Sequence, residues 1–269
     1  MKRLALTVAT VTALSVAAPV WSDARVNVAH FAPFAEDIAD TAVDIAVNGE
    51  IALTGVEYKA FTNYLDFAPA TYTIDVYLAG LAGMSDPVIS GEFTLTDNVD
   101  YTVYAVGNGT TQDLELRALV DDVDAPMDGN LNIRVVHAAP FAADLAATEV
   151  SIRTAGGDLV NNLEGVPYGV DSGFFEIPAG TYDLKVASND GTVNYIDPLP
   201  ADLPAGADVT IFAVGDGVNQ PLGIIAFPVG ELETRTPVDN RANGWWAVTP
   251  ADAGIGFILQ PMPSQNRLV

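Results

Sequence analysis

The chain contains one pattern twice, about 107 residues apart. The pattern is His-x-Ala-Pro-Phe, which begins at His30 in the first copy and at His137 in the second. Further matches follow in the same order: Gly55 to Tyr58 with Gly165 to Tyr168, Thr71 and Tyr72 with Thr181 and Tyr182, and Ala105 to Gly109 with Ala213 to Gly217. Small changes of offset are what a duplicated domain with loop insertions produces. The 269 residues therefore divide into two domains of roughly 100 residues, each large enough to bury a core.

Short segments of alternating apolar and polar residues predict strands throughout both copies. Residues 42–47 alternate up to Asn48-Gly49, two residues that tolerate the positive φ of a hairpin turn. Residues 100–106 repeat the alternation, and we expect Tyr101, Val103 and Ala105 to face a core. About seven such strands per copy predict an all-β fold of two tandem antiparallel immunoglobulin-like β-sandwiches. Residues 34–41 are predicted to hold one short helical turn.

Polar residues with Pro and Gly mark the predicted domain boundaries. The predictions are a signal peptide at 1–24, a first β-sandwich at 25–121, a linker at 122–130, a second β-sandwich at 131–230, and an acidic and polar linker with a Trp- and Gly-rich tail at 231–269. Because the linker between the sandwiches is short, we expect them to lie end to end with some mutual contact.

The N-terminus has the order of a signal peptide. A basic start at Lys2 and Arg3 precedes an apolar run that ends at Val20, and small residues then favour cleavage after Ala24. The alternative is an uncleaved membrane anchor, since the run approaches the roughly 18 residues that span a bilayer; Pro19 favours cleavage. The chain has no Cys, which fits a secreted or periplasmic bacterial protein without disulfides. We expect no membrane span after cleavage.

The charge is strongly negative. The chain carries 35 acidic and 11 basic residues, for a net charge of −24. Such a surface repels phosphate backbones and anionic membranes, so nucleic acid is excluded as a partner. Solubility in a salty medium explains the acidity, and Ca²⁺ binding is the alternative, although the Asp-rich stretches lack the spacing of a helix-loop-helix calcium loop. No other cofactor is predicted.

The two histidines have two interpretations. The functional one makes His30 and His137 metal ligands or proton carriers, oriented by Asp37 and Asp144. The structural one has each imidazole hydrogen-bond the backbone of the Pro-containing turn at the strand end. We favour the structural interpretation, because one His per domain is too few for a zinc site unless carboxylates complete it. His30, Pro33, His137 and Pro140 are then a signature of the fold.

The usual parts of an active site are missing from the sequence. There is no Cys and no Gly-x-Ser-x-Gly elbow, so nucleophilic catalysis lacks its parts. Carboxylates are too abundant for pairing alone to indicate a glycosidase. Residues 107–109 and 215–217 are glycine-rich, but no helix follows to supply phosphate-binding amides, so they are predicted to be loops. We predict no catalytic and no metal-binding residues, and therefore no enzyme.

The C-terminal tail is rich in aromatic residues and glycine. Residues 244–260 resemble the short tryptophan-glycine module at the ends of many exported proteobacterial proteins, of the form Gly-x-Trp-(Tyr/Trp)-x-Pro followed by Gly-x-Gly-Phe. Trp245, Trp246 and Phe257 are the predicted binding residues, as a platform for a carbohydrate or a protein partner. The alternative is a strand that packs against the second domain.

A set of motifs resembles the family of domains of unknown function DUF4397. They are Val-x-His-(Ala/Phe)-Ala-Pro near the start of each copy, the hairpin at Asp44 to Gly49, Gly-Val-x-Tyr, Pro178 to Tyr182 with Pro69 to Tyr72, and a late Tyr-Thr-Val-x-Ala-Val-Gly strand. The resemblance covers about 200 residues as two copies. The second copy departs from the family pattern at residues 154–157, where the Asn-Gly hairpin is replaced. It implies an exported immunoglobulin-like β-sandwich of bacterial envelope proteins, often in tandem, and it supplies no catalytic residues.

Two functions from different classes follow. The first is a non-catalytic binding or structural module of the bacterial cell envelope, with a protein or glycan as partner. The second is a secreted hydrolase or metal-dependent enzyme with its site between the two domains. The sequence leaves the identity of the ligand and the oligomeric state open.

Overall fold

A computed structural model describes residues 23–230, 261–262 and 267–268. The strands in chain order are β1 (Ala24–His30), β2 (Val43–Val47), β3 (Glu50–Val56), β4 (Leu65–Phe67), β5 (Thr71–Leu78), β6 (Ile89–Thr94), β7 (Asp100–Val106), β8 (Glu115–Val120), β9 (Asn130–His137), β10 (Val150–Thr154), β11 (Phe175–Pro178), β12 (Gly180–Tyr182), β13 (Leu184–Ser188), β14 (Asn194–Ile196), β15 (Ala201–Leu203), β16 (Asp208–Val214), β17 (Gly223–Pro228), β18 (Pro261–Met262) and β19 (Arg267–Leu268). Short 3₁₀ turns lie at Ile38–Thr41 and Leu145–Thr148. The all-β prediction is confirmed, and so is a helical turn within 34–41.

The strands up to β8 form two facing sheets, which we call the first sandwich. Its outer sheet has the order β3-β2-β5-β6 and its inner sheet the order β4-β1-β7-β8. Apolar side chains of both sheets meet between them; among them are Val43, Ile45, Val76 and Val103. The hairpin between β2 and β3 turns at Asn48 and Gly49, with φ of 51° and 82°, as the sequence predicts.

The strands from β9 to β17 form the second sandwich in a similar way. Its inner sheet has the order β11-β9-β16-β17, and its outer side is formed by β10-β13-β14 with the pair β12-β15. Most pairs in both sandwiches are antiparallel. Each inner sheet also contains one parallel pair, β1 with β7 and β9 with β16. The two strands of each such pair therefore end at the same edge of the sheet.

The two inner sheets pack face to face. Their shared core contains Phe31 and Tyr104 from the first sandwich and Phe212 and Phe227 from the second. The ring of Phe212 lies 4.8 Å from that of Phe31 and 5.1 Å from that of Tyr104, measured between centroids. β7 is therefore buried on both faces. The expected end-to-end arrangement is wrong, because each inner sheet is apolar on its second face as well.

The last residue of the predicted first sandwich, Asp121, is part of this interface. The side chain of Asp121 is completely buried. Its carboxylate pairs with the guanidinium of Arg134 and accepts hydrogen bonds from Tyr64 (2.7 Å) and Thr102 (2.6 Å). Asp121 thus ties the end of the first sandwich to β9 of the second. Burial raises the pKa of this carboxyl, and the charge of Arg134 opposes that rise.

Candidate functional site

The repeated histidine lies at the end of the first strand of each sandwich and is 1% exposed in both copies. Nε2 of His30 lies 2.8 Å from the carbonyl oxygen of Thr41, and its Nδ1 faces the backbone N–H of Ala32 at 3.5 Å. Because a carbonyl only accepts and an N–H only donates, the proton belongs on Nε2 of a neutral ring. His137 makes the same contacts with Thr148 (2.8 Å) and Ala139 (3.3 Å).

A threonine and a tyrosine hold the surroundings of each histidine in place. The hydroxyl of Thr41 donates to the carbonyl of Ile38 (2.5 Å) and accepts the backbone N–H of Tyr58 (2.9 Å), whose ring lies edge-on to His30. Thr148 and Tyr168 repeat this arrangement in the second sandwich. The imidazole therefore joins the strand end, the 3₁₀ turn and the following loop.

Burial favours the neutral imidazole in both copies. It lowers the pKa of His30 and of His137 to about 4, although the hydrogen bond to the threonine carbonyl opposes the shift. Neither ring is hydrogen-bonded to the acidic residue of the functional interpretation. Asp37 and Asp144 instead lie at the starts of the 3₁₀ turns, where the carboxylate of Asp144 accepts the N–H of Ala146 at 3.0 Å.

The loop after each histidine is held by the other sandwich. The carbonyl of Pro33 accepts a hydrogen bond from Asn219 (2.9 Å), and Gln220 donates to the carbonyls of Ala35 (2.9 Å) and Glu36 (2.8 Å). In the opposite direction, Thr111 and Asn108 donate to the carbonyl of Pro140, and Gln112 donates to that of Ala142 at 2.8 Å. The two copies thus clasp each other reciprocally, and we call this arrangement the clasp.

An Asn–Asp pair lies at the centre of the clasp. Nδ2 of Asn108 lies 3.2 Å from Oδ2 of Asp216, and the two residues are 7% and 3% exposed. The other oxygen of each side chain accepts backbone N–H groups of its own loop. For Asn108 these belong to Thr110, Thr111 and Gln112, and for Asp216 they belong to Val218, Asn219 and Gln220. Each side chain therefore orders its own loop and meets the other across the interface.

Glycine is required before each member of this pair. Gly107 and Gly215 have φ of 86° and 91°. A Cβ would lie 1.8 Å from the carbonyl oxygen of Asp113 at Gly107, and 2.2 Å from that of Pro221 at Gly215. These contacts are closer than any side chain allows. The glycine-rich segments are loops, as predicted, and their backbone closes on the following residues.

The two halves of the interface differ around the shared core. The ring of Phe61 stacks on Phe227 at 4.7 Å between centroids. On the other side, Arg117 donates to the carbonyl of Gly169 and lies 5.5 Å from the ring of Tyr168. The matching positions of the other copy do not make these contacts. The interface between the two sandwiches is therefore asymmetric in this part.

Reasoning from the sequence overlooked the residues that hold the clasp, apart from the glycines. A signal for them exists: both copies contain Gly-(Asn/Asp)-Gly-x-x-Gln, at 107–112 and at 215–220. The glutamine repeats because it reaches the neighbouring loop. Trp245, Trp246 and Phe257, the predicted binding residues, lie outside the described residues. Ala24, after which cleavage is predicted, is the first residue of β1 and is fully buried.

Two kinds of feature are absent from the described part of the chain. In residues 23–230 and the two short C-terminal strands, no helix is long and apolar enough to cross a membrane. In that same part of the chain, no group of three or more His, Asp or Glu side chains is placed to hold a metal ion.

Comparisons with known proteins give one family. Residues 24–148 match the model of the Domain of unknown function (DUF4397), a range that includes both histidine motifs. No curated protein matches the chain. Among solved structures, the chain is similar to a leucine-rich repeat protein from Bacteroides thetaiotaomicron VPI-5482, with 13% identity and a TM-score of 0.19, over 86% of this chain and 31% of that one.

The chain thus spans about a third of that leucine-rich repeat protein, and a likeness at this TM-score carries no argument about fold or function. The family match agrees with the motifs around His30 and with the β-rich structure. Over residues 24–148, this chain is similar to the DUF4397 family of domains of unknown function.

Proposed function

We propose that the protein is a non-catalytic binding or structural module, exported to the envelope of a bacterial cell and working without a catalytic cofactor. The observation that carries this proposal is the use of the repeated histidines. Each histidine is buried, and both of its ring nitrogens hydrogen-bond to backbone groups of its own sandwich. A side chain occupied in this way stabilises a loop, and the loop in turn is part of the clasp.

The filling of the interface also supports this function over an enzyme with its site between the domains. An active site needs a concave space that substrate enters. Here aromatic rings pack between the facing sheets, and the ring centroids of Phe31, Tyr104 and Phe212 lie 4.8 to 6.3 Å apart. The loops beside them are closed by hydrogen bonds between the copies. The arrangement suits a rigid body that presents its outer surfaces to a partner.

Replacement of both histidines tests the proposal. We expect the double variant His30→Ala with His137→Ala to unfold at a lower temperature, because two buried backbone groups in each copy lose their partner. Binding to a protein or glycan partner, measured with the folded variant, should be retained. A matched control is Thr110→Ala, which changes an exposed clasp residue and should leave the unfolding temperature close to that of the wild type. An enzymatic turnover that disappears in the double variant at unchanged stability would overturn the proposal.

A further inference from the structure

The first sandwich is closed along one side and open along the other. On the closed side, β6 of the outer sheet contacts β8 of the inner sheet. On the open side, β3 and β4 are the last strands of their sheets. Each of them has one backbone edge without a neighbouring strand within residues 23–230. We call the space between these two strands the edge groove.

An apolar cavity lies behind the edge groove. Its volume is about 40 Å³, and its lining includes Ala52 and Leu53 from β3 and Leu65 and Phe67 from β4. Because a buried water molecule needs polar partners and these lining residues are apolar, the cavity suits an aliphatic side chain better than water. Leu65 is 36% exposed at the mouth, so the cavity is reached from the edge groove.

The second sandwich shows how this side of the fold is filled. There, residues 158–166 take the place of β3, and the backbone of Ile152 exchanges hydrogen bonds of 2.9 Å with Val160 and Leu163. The side chains of Val160 and Leu163 pack against the core, and the remaining cavity is only about 10 Å³. Apolar side chains of this turn-containing loop therefore fill that side of the second sandwich, whereas the first sandwich keeps its cavity.

Acidic residues surround the edge groove. Glu50 lies in β3, Glu57 directly after it, and Asp66 in β4, and all three are exposed. The one cation in this part of the first sandwich, residues 43–67, is Lys59, which lies 5.2 Å from the centre of the Tyr58 ring. A segment that binds here with good charge complementarity therefore carries basic residues next to its apolar ones.

We propose that the edge groove binds an extended peptide segment of a partner protein in which apolar residues alternate with Lys or Arg. The segment adds a strand along β3 or β4 and places one apolar side chain in the cavity. Apolar side chains then face the cavity while basic side chains face solvent and the carboxylates. This inference rests on the proposed function as a binding module and specifies the chemistry of its partner.

Calorimetry with the full chain tests the inference. The probe is the acetylated and amidated peptide (Lys-Val)₄, with (Lys-Ser)₄ and (Glu-Val)₄ as control peptides. We expect saturable binding of (Lys-Val)₄ alone and protection of β3 or β4 amides from hydrogen exchange. Leu65→Lys places a cation at the mouth and should weaken binding at least tenfold, while Val193→Lys, an exposed change on the second sandwich, should leave binding unchanged.

Several outcomes would overturn the inference. One is binding of (Lys-Ser)₄ with the same affinity as (Lys-Val)₄, which would indicate charge attraction alone. The others are an unchanged affinity of (Lys-Val)₄ for the Leu65→Lys variant, and protection from hydrogen exchange that is confined to strands other than β3 and β4. Protection of β3 and β4 without peptide at all protein concentrations would instead identify another part of the chain as the occupant. Protection that grows with protein concentration would identify a second copy. If no peptide binds and no enzymatic turnover is detected, the edge-groove inference fails while the proposed non-catalytic function is retained. Failure of one proposal can therefore be distinguished from failure of the other.

Discussion

Individual side chains at the clasp act by fixing backbone, and their protonation is part of that role. A neutral imidazole matches a carbonyl at Nε2 and an N–H at Nδ1. A second proton on His137 would set two donors against each other at Nδ1 and leave a charge in a buried place. The same holds for His30. The two histidines therefore couple folding to pH.

The pKa of about 4 in the folded state lies below the usual 6.5. The unfolded chain thus binds the extra proton first, so stability is complete above about pH 6.5 and falls as the pH drops towards 4. At about 1.36 kcal/mol per pKa unit, the loss is on the order of 3 kcal/mol for each histidine. We expect His137→Gln to be less stable at pH 7 and to lose less stability between pH 7 and 4.5. Urea unfolding at several pH values measures both, and a slope with pH equal to that of the wild type would contradict the assignment.

The Asn–Asp pair predicts a second pH effect of opposite sign. In Asn108→Asp a carboxylate replaces the amide that donates to Asp216, and two buried carboxylates then share one site. One of them must take a proton, so its pKa rises above the unfolded value and stability is lost as the pH rises. We expect a loss of about 1–3 kcal/mol at pH 7 that becomes smaller near pH 5. Thr110→Asp, which adds the same charge at an exposed neighbour, is the control for urea unfolding. A loss of stability independent of pH would contradict this prediction.

At the scale of the element, strands β7 and β16 can be compared, because an alanine at the matching position of each strand lines a cavity of different volume. Ala105 lines the cavity of about 40 Å³ and Ala213 the cavity of about 10 Å³. We expect Ala105→Val to be neutral or to stabilise by up to about 1 kcal/mol, since the added methyl groups fill space. Ala213→Val should destabilise by about 1–3 kcal/mol through overpacking. Thermal unfolding of both variants measures the difference, and equal effects would argue that the two cores are packed alike.

The elements themselves could be predicted where local residue chemistry decides them. Asn48-Gly49 specifies its turn because both residues accept a positive φ, and alternation places Tyr101, Val103 and Ala105 in the core of the first sandwich. The hydrogen-bond partners of His30 could not be predicted from the sequence in the same way. The carbonyl of Thr41 belongs to a residue 11 positions away, and any residue has a carbonyl, so no side-chain pattern marks the acceptor.

At the scale of the whole molecule, the sequence was least informative about the contact between the sandwiches. The second face of β7 carries Thr102, Tyr104 and Val106, a mixture that fits a half-exposed surface as well as a buried one, yet all three are buried. The burial depends on a complementary sheet from the other copy, far along the chain. Because the copies diverged at Phe61 and Arg117, their repeated motifs did not reveal which surfaces meet.

The shared core predicts that the two sandwiches unfold together. Ile196 is buried between the sheets of the second sandwich, away from the shared core, and Ile196→Ala should cost about 2–5 kcal/mol. If the aromatic core couples the sandwiches, amides of β5 in the first sandwich will exchange faster as well as those of β13. In the background of Phe212→Ala, which removes the ring between Phe31 and Tyr104, we expect the effect of Ile196→Ala to be confined to the second sandwich. Hydrogen exchange in low urea measures both, and an effect on β13 alone in the single variant would mean that the sandwiches fold independently and that the clasp serves orientation only.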